Sequence, residues 1–348
     1  MTATLDDLKT LAGRCLGIPV IVHERLPGGG SERAFHRLQA AGRPAIGAIG
    51  ANLAEVRAFL GFTRHFAAQG IPVPRILGED GAAGLYLMED LGERTLAACL
   101  RDWRTGTGGA GPQGTAQARA ALETVVRWLA AIQVRGGAGL DDTLCWEGRE
   151  LDGAAFRRDV ERFLARYVPR FVLHPAPLDA AVRAELDVLL GRLDALPREH
   201  FCYRDFQARN IMWVARDGAE GEGPVFLDYQ SGRRGPLAYD LASLLYSPDT
   251  GADEPLRAHL LGVYLAALGE QGVTRTREAF LTGFHPIVLV RRLQALGRYA
   301  ELIAARKQTA FLEKIPPALA ELRALQAAGH FDFGLPALEG WLARVLAP

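Results

Sequence analysis

The chain has 348 residues, 49% hydrophobic and 23% charged, a balance that suits a soluble globular protein of two domains or lobes. Lysine plus arginine and aspartate plus glutamate each number 40, so the basic excess expected of a nucleic-acid binder is absent. No run of about 18 uncharged apolar residues could span a membrane, the first residues lack the apolar core of a secretion signal, and the dispersed cysteines Cys15, Cys99, Cys145 and Cys202 suit a reducing cytoplasm.

Helical spacing covers residues 5–16 and stops at Gly17. Strands are predicted over 19–26, 33–40 and 45–49, separated by the glycine turn at 27–31 and by Gly42-Arg43-Pro44. In the first turn the backbone N–H groups of Gly29 and Gly30 and the hydroxyl of Ser31 could approach a phosphate. A glycine hairpin turn is more often only a turn, and this one lacks the strand–GxxxxGK[ST]–helix form of a P-loop. A helix over 53–69 is stopped by Pro72 and Pro74, and short strands at 76–77 and 85–88 complete a β-rich beginning. Glu55 begins that helix, where a kinase fold pairs a carboxylate with a strand lysine. The third strand, Ala45-Ile46-Gly47-Ala48-Ile49-Gly50, holds no lysine. Glu55 is then as readily a solvated helix-face charge. Arg33 or Arg37 on the second strand is expected to take the cationic role, since each carries a planar fork suited to phosphate.

Beyond residue 92 helical periodicity dominates, over 116–136, 153–167, 178–196, 239–245, 255–271, 275–284, 287–306 and 316–328, with a glycine-rich loop at 104–114. A hairpin interrupts the helices at 200–230. Its apolar runs 210–214 and 224–227 flank a turn at Arg216-Asp217-Gly218 and bring Asn210 close to Asp228. Within Tyr203-Arg204-Asp205-Phe206-Gln207-Ala208-Arg209-Asn210 and Leu227-Asp228-Tyr229-Gln230, the order Asp, four residues, Asn, then Asp is the polar core of a phosphotransfer site. Asp205 can orient or deprotonate an acceptor hydroxyl. Asn210 and Asp228 can hold Mg²⁺ against the phosphates of ATP. Singly, each is a turn residue or a strand-end cap; together, in this order, they point to a kinase. The expected fold is α+β and bilobal, protein-kinase-like: a small β-rich N-lobe over 1–88, a connector at 89–92 and a larger, mainly helical C-lobe over 93–348, with ATP in the cleft.

These motifs, with Gly-Pro-Leu-Ala-Tyr-Asp-Leu-Ala-Ser-Leu-Leu at 235–245, resemble the aminoglycoside phosphotransferase/choline kinase-like superfamily, most closely its bacterial anomeric amino-sugar kinases. The segments 28–38, 85–92 and 293–299 carry the likeness along nearly the whole chain. The resemblance implies that Asp205 is the catalytic base, that Asn210 and Asp228 ligate Mg²⁺, and that Glu89, Asp90 and Leu91 present backbone to adenine. It makes Asp240 a buried structural support. Tyr203 stands where the superfamily usually has His, at a position that mainly packs. Sugar contacts are expected from Arg204, Gln207, Arg209, Tyr229 and Gln230, with Trp146, Arg298 and Tyr299 as further pocket candidates. The implied activity is ATP-dependent phosphorylation of a small-molecule amino sugar by a cytoplasmic monomer, with no nucleic-acid or membrane partner. Antibiotic phosphorylation and a non-catalytic nucleotide-binding module are the alternatives.

Overall fold

The computed structural model describes residues 3–17, 20, 22–26, 33–40, 43–105, 112–173, 176–215 and 221–347. Helix α1 (Leu5–Leu16) opens on a capping box, in which the Thr4 hydroxyl accepts from the Asp7 backbone and the Asp7 carboxylate accepts from the Thr4 backbone at 2.8 Å. Gly17 ends it in the left-handed region, at φ 73°. The chain then forms β1 (Val22–Arg25), β2 (Ala34–Ala40) and β3 (Arg43–Ile49), helix α2 (Leu53–Ala68), β4 (Ile76–Asp80) and β5 (Leu85–Glu89). The five strands make one antiparallel sheet in the order β1-β2-β3-β5-β4.

Alternation along the strands gives this sheet two unlike faces. Leu38, Leu85 and Leu87 meet Leu8, Leu11 and Ala12 of α1 in a buried apolar cluster. Phe35 is opposite Ala48, and Ala48 is opposite Tyr86, so these three share the other face with Arg33, two residues before Phe35.

Later elements are α3 (Leu96–Thr105), α4 (Pro112–Ala131), α5 (Gly153–Arg162), α6 (Val168–Phe171), α7 (Ala180–Asp194), β6 (His200–Cys202), β7 (Ile211–Ala215), β8 (Glu222–Phe226), β9 (Arg233–Gly235), α8 (Ala238–Leu245), α9 (Glu254–Glu270), α10 (Arg277–Arg306), α11 (Ile315–Ala327) and α12 (Pro336–Val345). Helices α4 and α5 widen into π-helical turns at Ile132–Gly136 and Phe163–Tyr167. Contacts group the chain into two compact units, Met1–Arg149 with Tyr203–Arg233, and Glu150–Cys202 with Arg234–Pro348. The hairpin of β7 and β8 therefore folds in the unit that carries the sheet. There, Trp213 donates its backbone N–H to the Arg94 carbonyl at 2.9 Å and Phe226 to that of Pro72 at 2.9 Å.

Several sequence expectations need correction. The helices expected at 275–284 and 287–306 are one helix, α10, which runs through Pro286. An interior proline costs about 3 kcal/mol. Burial of Phe284, Ile287, Val288, Leu289 and Val290, none more than 2% exposed, holds the helix together across it. Helices α3, α6 and α12 and strand β9 form where no element was expected. In the expected loop at 104–114 the ends are helical, and 106–111 lie outside the described residues, as do the turns at 27–31 and 216–218.

Candidate active site

Strands β7 and β8 pair with Ile211 opposite Phe226, which sets Asn210 beside Asp228 at one end of the hairpin. The Leu227 backbone N–H donates to the Asn210 carbonyl at 3.0 Å, extending the ladder by one rung. The Asn210 side-chain Nδ2 donates to the Asp205 carbonyl at 2.8 Å and to Asp228 Oδ2 at 3.3 Å. One amide thus joins all three polar residues of the motif. With Nδ2 committed, Asn210 Oδ1 is the atom left to act as a ligand. Asn210 and Asp228 offer hard oxygen donors side by side, a pairing that fits Mg²⁺ when phosphate and water complete its shell. Among the described residues no cluster of three or more His, Cys, Asp or Glu forms a closed metal cage.

The backbone departs from ordinary geometry at two points of this loop. Arg204 has φ 77° and Asp228 φ 69°, left-handed values that non-glycine residues adopt only when their surroundings hold them there. Tyr203 supplies part of that hold. It is 1% exposed, and its hydroxyl donates to the carbonyl of Leu227, next to Asp228. Around it runs a column of rings. Tyr86 stacks on Phe59 at 4.8 Å, Phe59 on Tyr229 at 5.4 Å, and Tyr203 meets Tyr229 edge-on at 5.8 Å. Phe206 continues it, 5.2 Å from Tyr203 and 5.7 Å from Phe226. The column ties the sheet, α2 and both halves of the β7–β8 hairpin into one packed body.

Arg33 is 6% exposed and enters this body from the start of β2. Its Nε is 3.2 Å from Glu55 Oε1 and its NH2 is 2.6 Å from Asp228 Oδ1. Burial alone would lower the guanidinium pKa, but the neighbouring Tyr86, Asp228 and Glu55 outweigh it and hold Arg33 firmly charged. Burial raises the Glu55 carboxyl above its ordinary value, with Arg33 opposing the shift. Glu55 is therefore a buried ion-pair partner, 9% exposed, and not a solvated helix-face charge. Burial also pushes the Tyr86 hydroxyl up to about 12, so it stays protonated beside the guanidinium.

Arg37, the other candidate cation, is spent elsewhere. It donates to Asp90 at 2.7 Å and to Glu93 at 2.7 Å, bracing the segment expected to meet adenine. Asp90 also accepts from the Gly92 backbone at 2.9 Å, and Glu89 accepts from the Arg75 backbone and Nε, both at 2.8 Å. Leu91 is half-buried. Of the expected phosphate-turn residues, Gly29, Gly30 and Ser31 lie outside the described residues. Among the expected sugar contacts, Gln230 is 4% exposed and its Nε2 donates to Asp228 Oδ1 at 2.9 Å. Tyr229 is fully buried, with its hydroxyl 2.6 Å from the Thr63 hydroxyl. Arg204 and Gln207 are half-buried, whereas Arg209 is exposed. Asp240, in the other unit, is fully buried and accepts from Cys202 Sγ at 3.7 Å. Sequence reasoning missed Thr63 and Tyr86, whose only signal was membership of apolar helix and strand faces.

The family model described as phosphotransferase enzyme family matches residues 22–281. The chain is 29% identical over 287 residues to an N-acetylmuramate/N-acetylglucosamine kinase of Caulobacter vibrioides, covering 77% of this chain and 73% of that protein. It is 25% identical over 266 residues to the Pseudomonas aeruginosa protein of the same name, covering 75% and 71%. A choline kinase of Streptococcus pneumoniae shares the fold, with a TM-score of 0.54 over 88% of this chain and 94% of that one at 12% identity. The chain thus belongs to the phosphotransferase enzyme family, has its protein-kinase-like α+β fold, and transfers phosphate to a hydroxyl acceptor.

Proposed function

We propose that the protein phosphorylates an N-acetylated amino sugar, of the N-acetylglucosamine or N-acetylmuramate type, at its 1-hydroxyl, using ATP and Mg²⁺. The observation that carries the kinase reading is the joining of Asp205, Asn210 and Asp228 through one side-chain amide, at 2.8 and 3.3 Å. The sugar reading draws on the names of the relatives at 29% and 25% identity, and implies a cytoplasmic monomer that recovers cell-wall sugars.

In this reading Asp205 accepts the proton of the sugar hydroxyl as the sugar oxygen attacks the terminal phosphorus of ATP in line, and the bond from that phosphorus to the bridging oxygen breaks to release ADP. Asn210 and Asp228 would hold Mg²⁺, which when bound neutralises phosphate charge. The backbone of Glu89–Leu91, braced by Arg37 and Arg75, orients adenine. In this reading Arg209, exposed on the segment that carries Asp205, meets a lactyl carboxylate, whereas Arg233 is only 2% exposed and donates to the Glu147 and Ser231 carbonyls at 3.1 and 3.2 Å. Arginines flanking the catalytic loop suit an anionic or neutral sugar better than a polycationic aminoglycoside.

The test is transfer from Mg-ATP to a panel of N-acetylglucosamine, N-acetylmuramate, glucosamine, galactosamine, glucose and kanamycin, followed by ³¹P NMR. A phosphorus resonance coupled to the anomeric proton of an N-acetylated sugar is the expected result. Transfer to another position, or to kanamycin alone, would replace the sugar assignment. Asp205→Asn is expected to lower turnover by about a hundredfold or more, with Mg-ATP binding retained.

A further inference from the structure

On the sheet face that carries Tyr86, a cation ties α2 to the hairpin, and β3 does not supply it. Pro44, Ile46 and Ala48 are the β3 residues that share the face of Arg33 and Tyr86, and none bears charge. One strand over, Arg33 spans two buried or half-buried carboxylates on separate elements, Glu55 on α2 and Asp228 at the end of the hairpin. Its guanidinium also lies over the Phe35 ring, 5.4 Å from the centroid. A guanidinium suits this task because its fork serves two acceptors at once, whereas an ammonium is a single point charge.

We propose that Arg33 is a positioning residue that holds Asp228 and Glu55 in register for nucleotide binding, and that the cation's origin is exchangeable between strands. A lysine at position 48, between Phe35 and Tyr86 on the same face, would restore the tie from β3. The proposal rests on the kinase reading only in taking Mg-ATP as ligand; it needs no particular sugar.

The test compares the unaltered protein, Arg33→Ala, Arg33→Met, and each of these combined with Ala48→Lys. Mg-ATP affinity is read by calorimetry, folding by thermal denaturation, and kcat and KM on whichever acceptor the panel identifies. Removing one partner of a buried pair leaves the other charge uncompensated, so either single variant is expected to weaken Mg-ATP binding by about tenfold or more. Ala48→Lys is expected to recover part of that loss in the double variants, since an ammonium supplies the charge without the fork. Recovery of folding by the lysine, should a single variant fail to fold, counts in the same direction. Single variants that bind Mg-ATP within about twofold of the unaltered protein would overturn the positioning role. Double variants no better than the singles would overturn the exchange. Failure of the sugar panel with these binding results intact would remove the sugar assignment and leave Arg33 as proposed. Absence of Mg-ATP binding by the unaltered protein would remove both.

Discussion

At the scale of single residues, hydrogen bonds to buried backbone decide how the catalytic loop keeps its unusual geometry. Tyr203 packs as a core aromatic but also donates to the Leu227 carbonyl. Tyr203→Phe keeps the ring contacts and removes that donor. The expected cost is about 1–2 kcal/mol, because a buried acceptor loses its partner, and it should appear as a lower urea midpoint with an unchanged slope. A second residue-scale effect lies in the helical unit. His285 and His330 face each other with ring nitrogens 2.9 Å apart, and His330 Nε2 lies 3.8 Å from Glu254 Oε1. Burial first, then the charge of His330, lowers His285 to about 4. The unfolded chain takes up a proton at the ordinary histidine value, before the folded chain does. The contribution of His285 to stability is therefore complete above about pH 6.5 and declines as pH falls toward 4. Urea midpoints measured at pH 7.5 and 5 should show this decline, and His285→Gln should flatten it.

At the scale of elements, close helix contact outweighs local preference. Gly297 of α10 faces the π-helical turn that follows α5, and an added Cβ would stand 2.9 Å from the Phe163 backbone nitrogen and 3.0 Å from its Cα. In an open helix, glycine to alanine would stabilise by roughly 1 kcal/mol. Here backbone must move, so Gly297→Ala is expected to destabilise by about 1–3 kcal/mol, measured by calorimetric or chemical unfolding. The same dominance of packing explains why Pro286 failed as a stop signal. Several of the helix boundaries legible in the sequence carry caps, although α8 and α11 were legible without one. Helix α1 has Thr4 and Gly17, and α2 has Asn52. By contrast, α12 starts at Pro336 with no side-chain cap, and its local signals are Gly334, at φ 67°, and the proline of its first turn.

At the scale of the whole molecule, binding and turnover should separate. Mg-ATP at a hundred times its dissociation constant is expected to stabilise the folded chain by about 2.7 kcal/mol. Asp205→Asn should keep that thermal shift while losing transfer. A shift lost together with turnover would make Asp205 structural. The sequence by itself determined the α+β division and the order of sheet and helices, and it marked Asp205, Asn210 and Asp228 as the candidate set. These are readable because periodicity, glycine punctuation and motif spacing are local properties of the chain. Only the tertiary structure decided which carboxylates each candidate cation meets. Arg33 and Arg37 have the same residue type on the same strand face, and nothing local separates them. What separates them is which carboxylates the fold brings near: Glu55 and Asp228 for one, Asp90 and Glu93 for the other. Glu55 likewise changes from an ordinary helix charge to a buried partner because Asp228, 173 positions later, is folded back beside it through Arg33. Long-range pairing of charges is set by burial and approach in three dimensions, and a linear pattern carries neither.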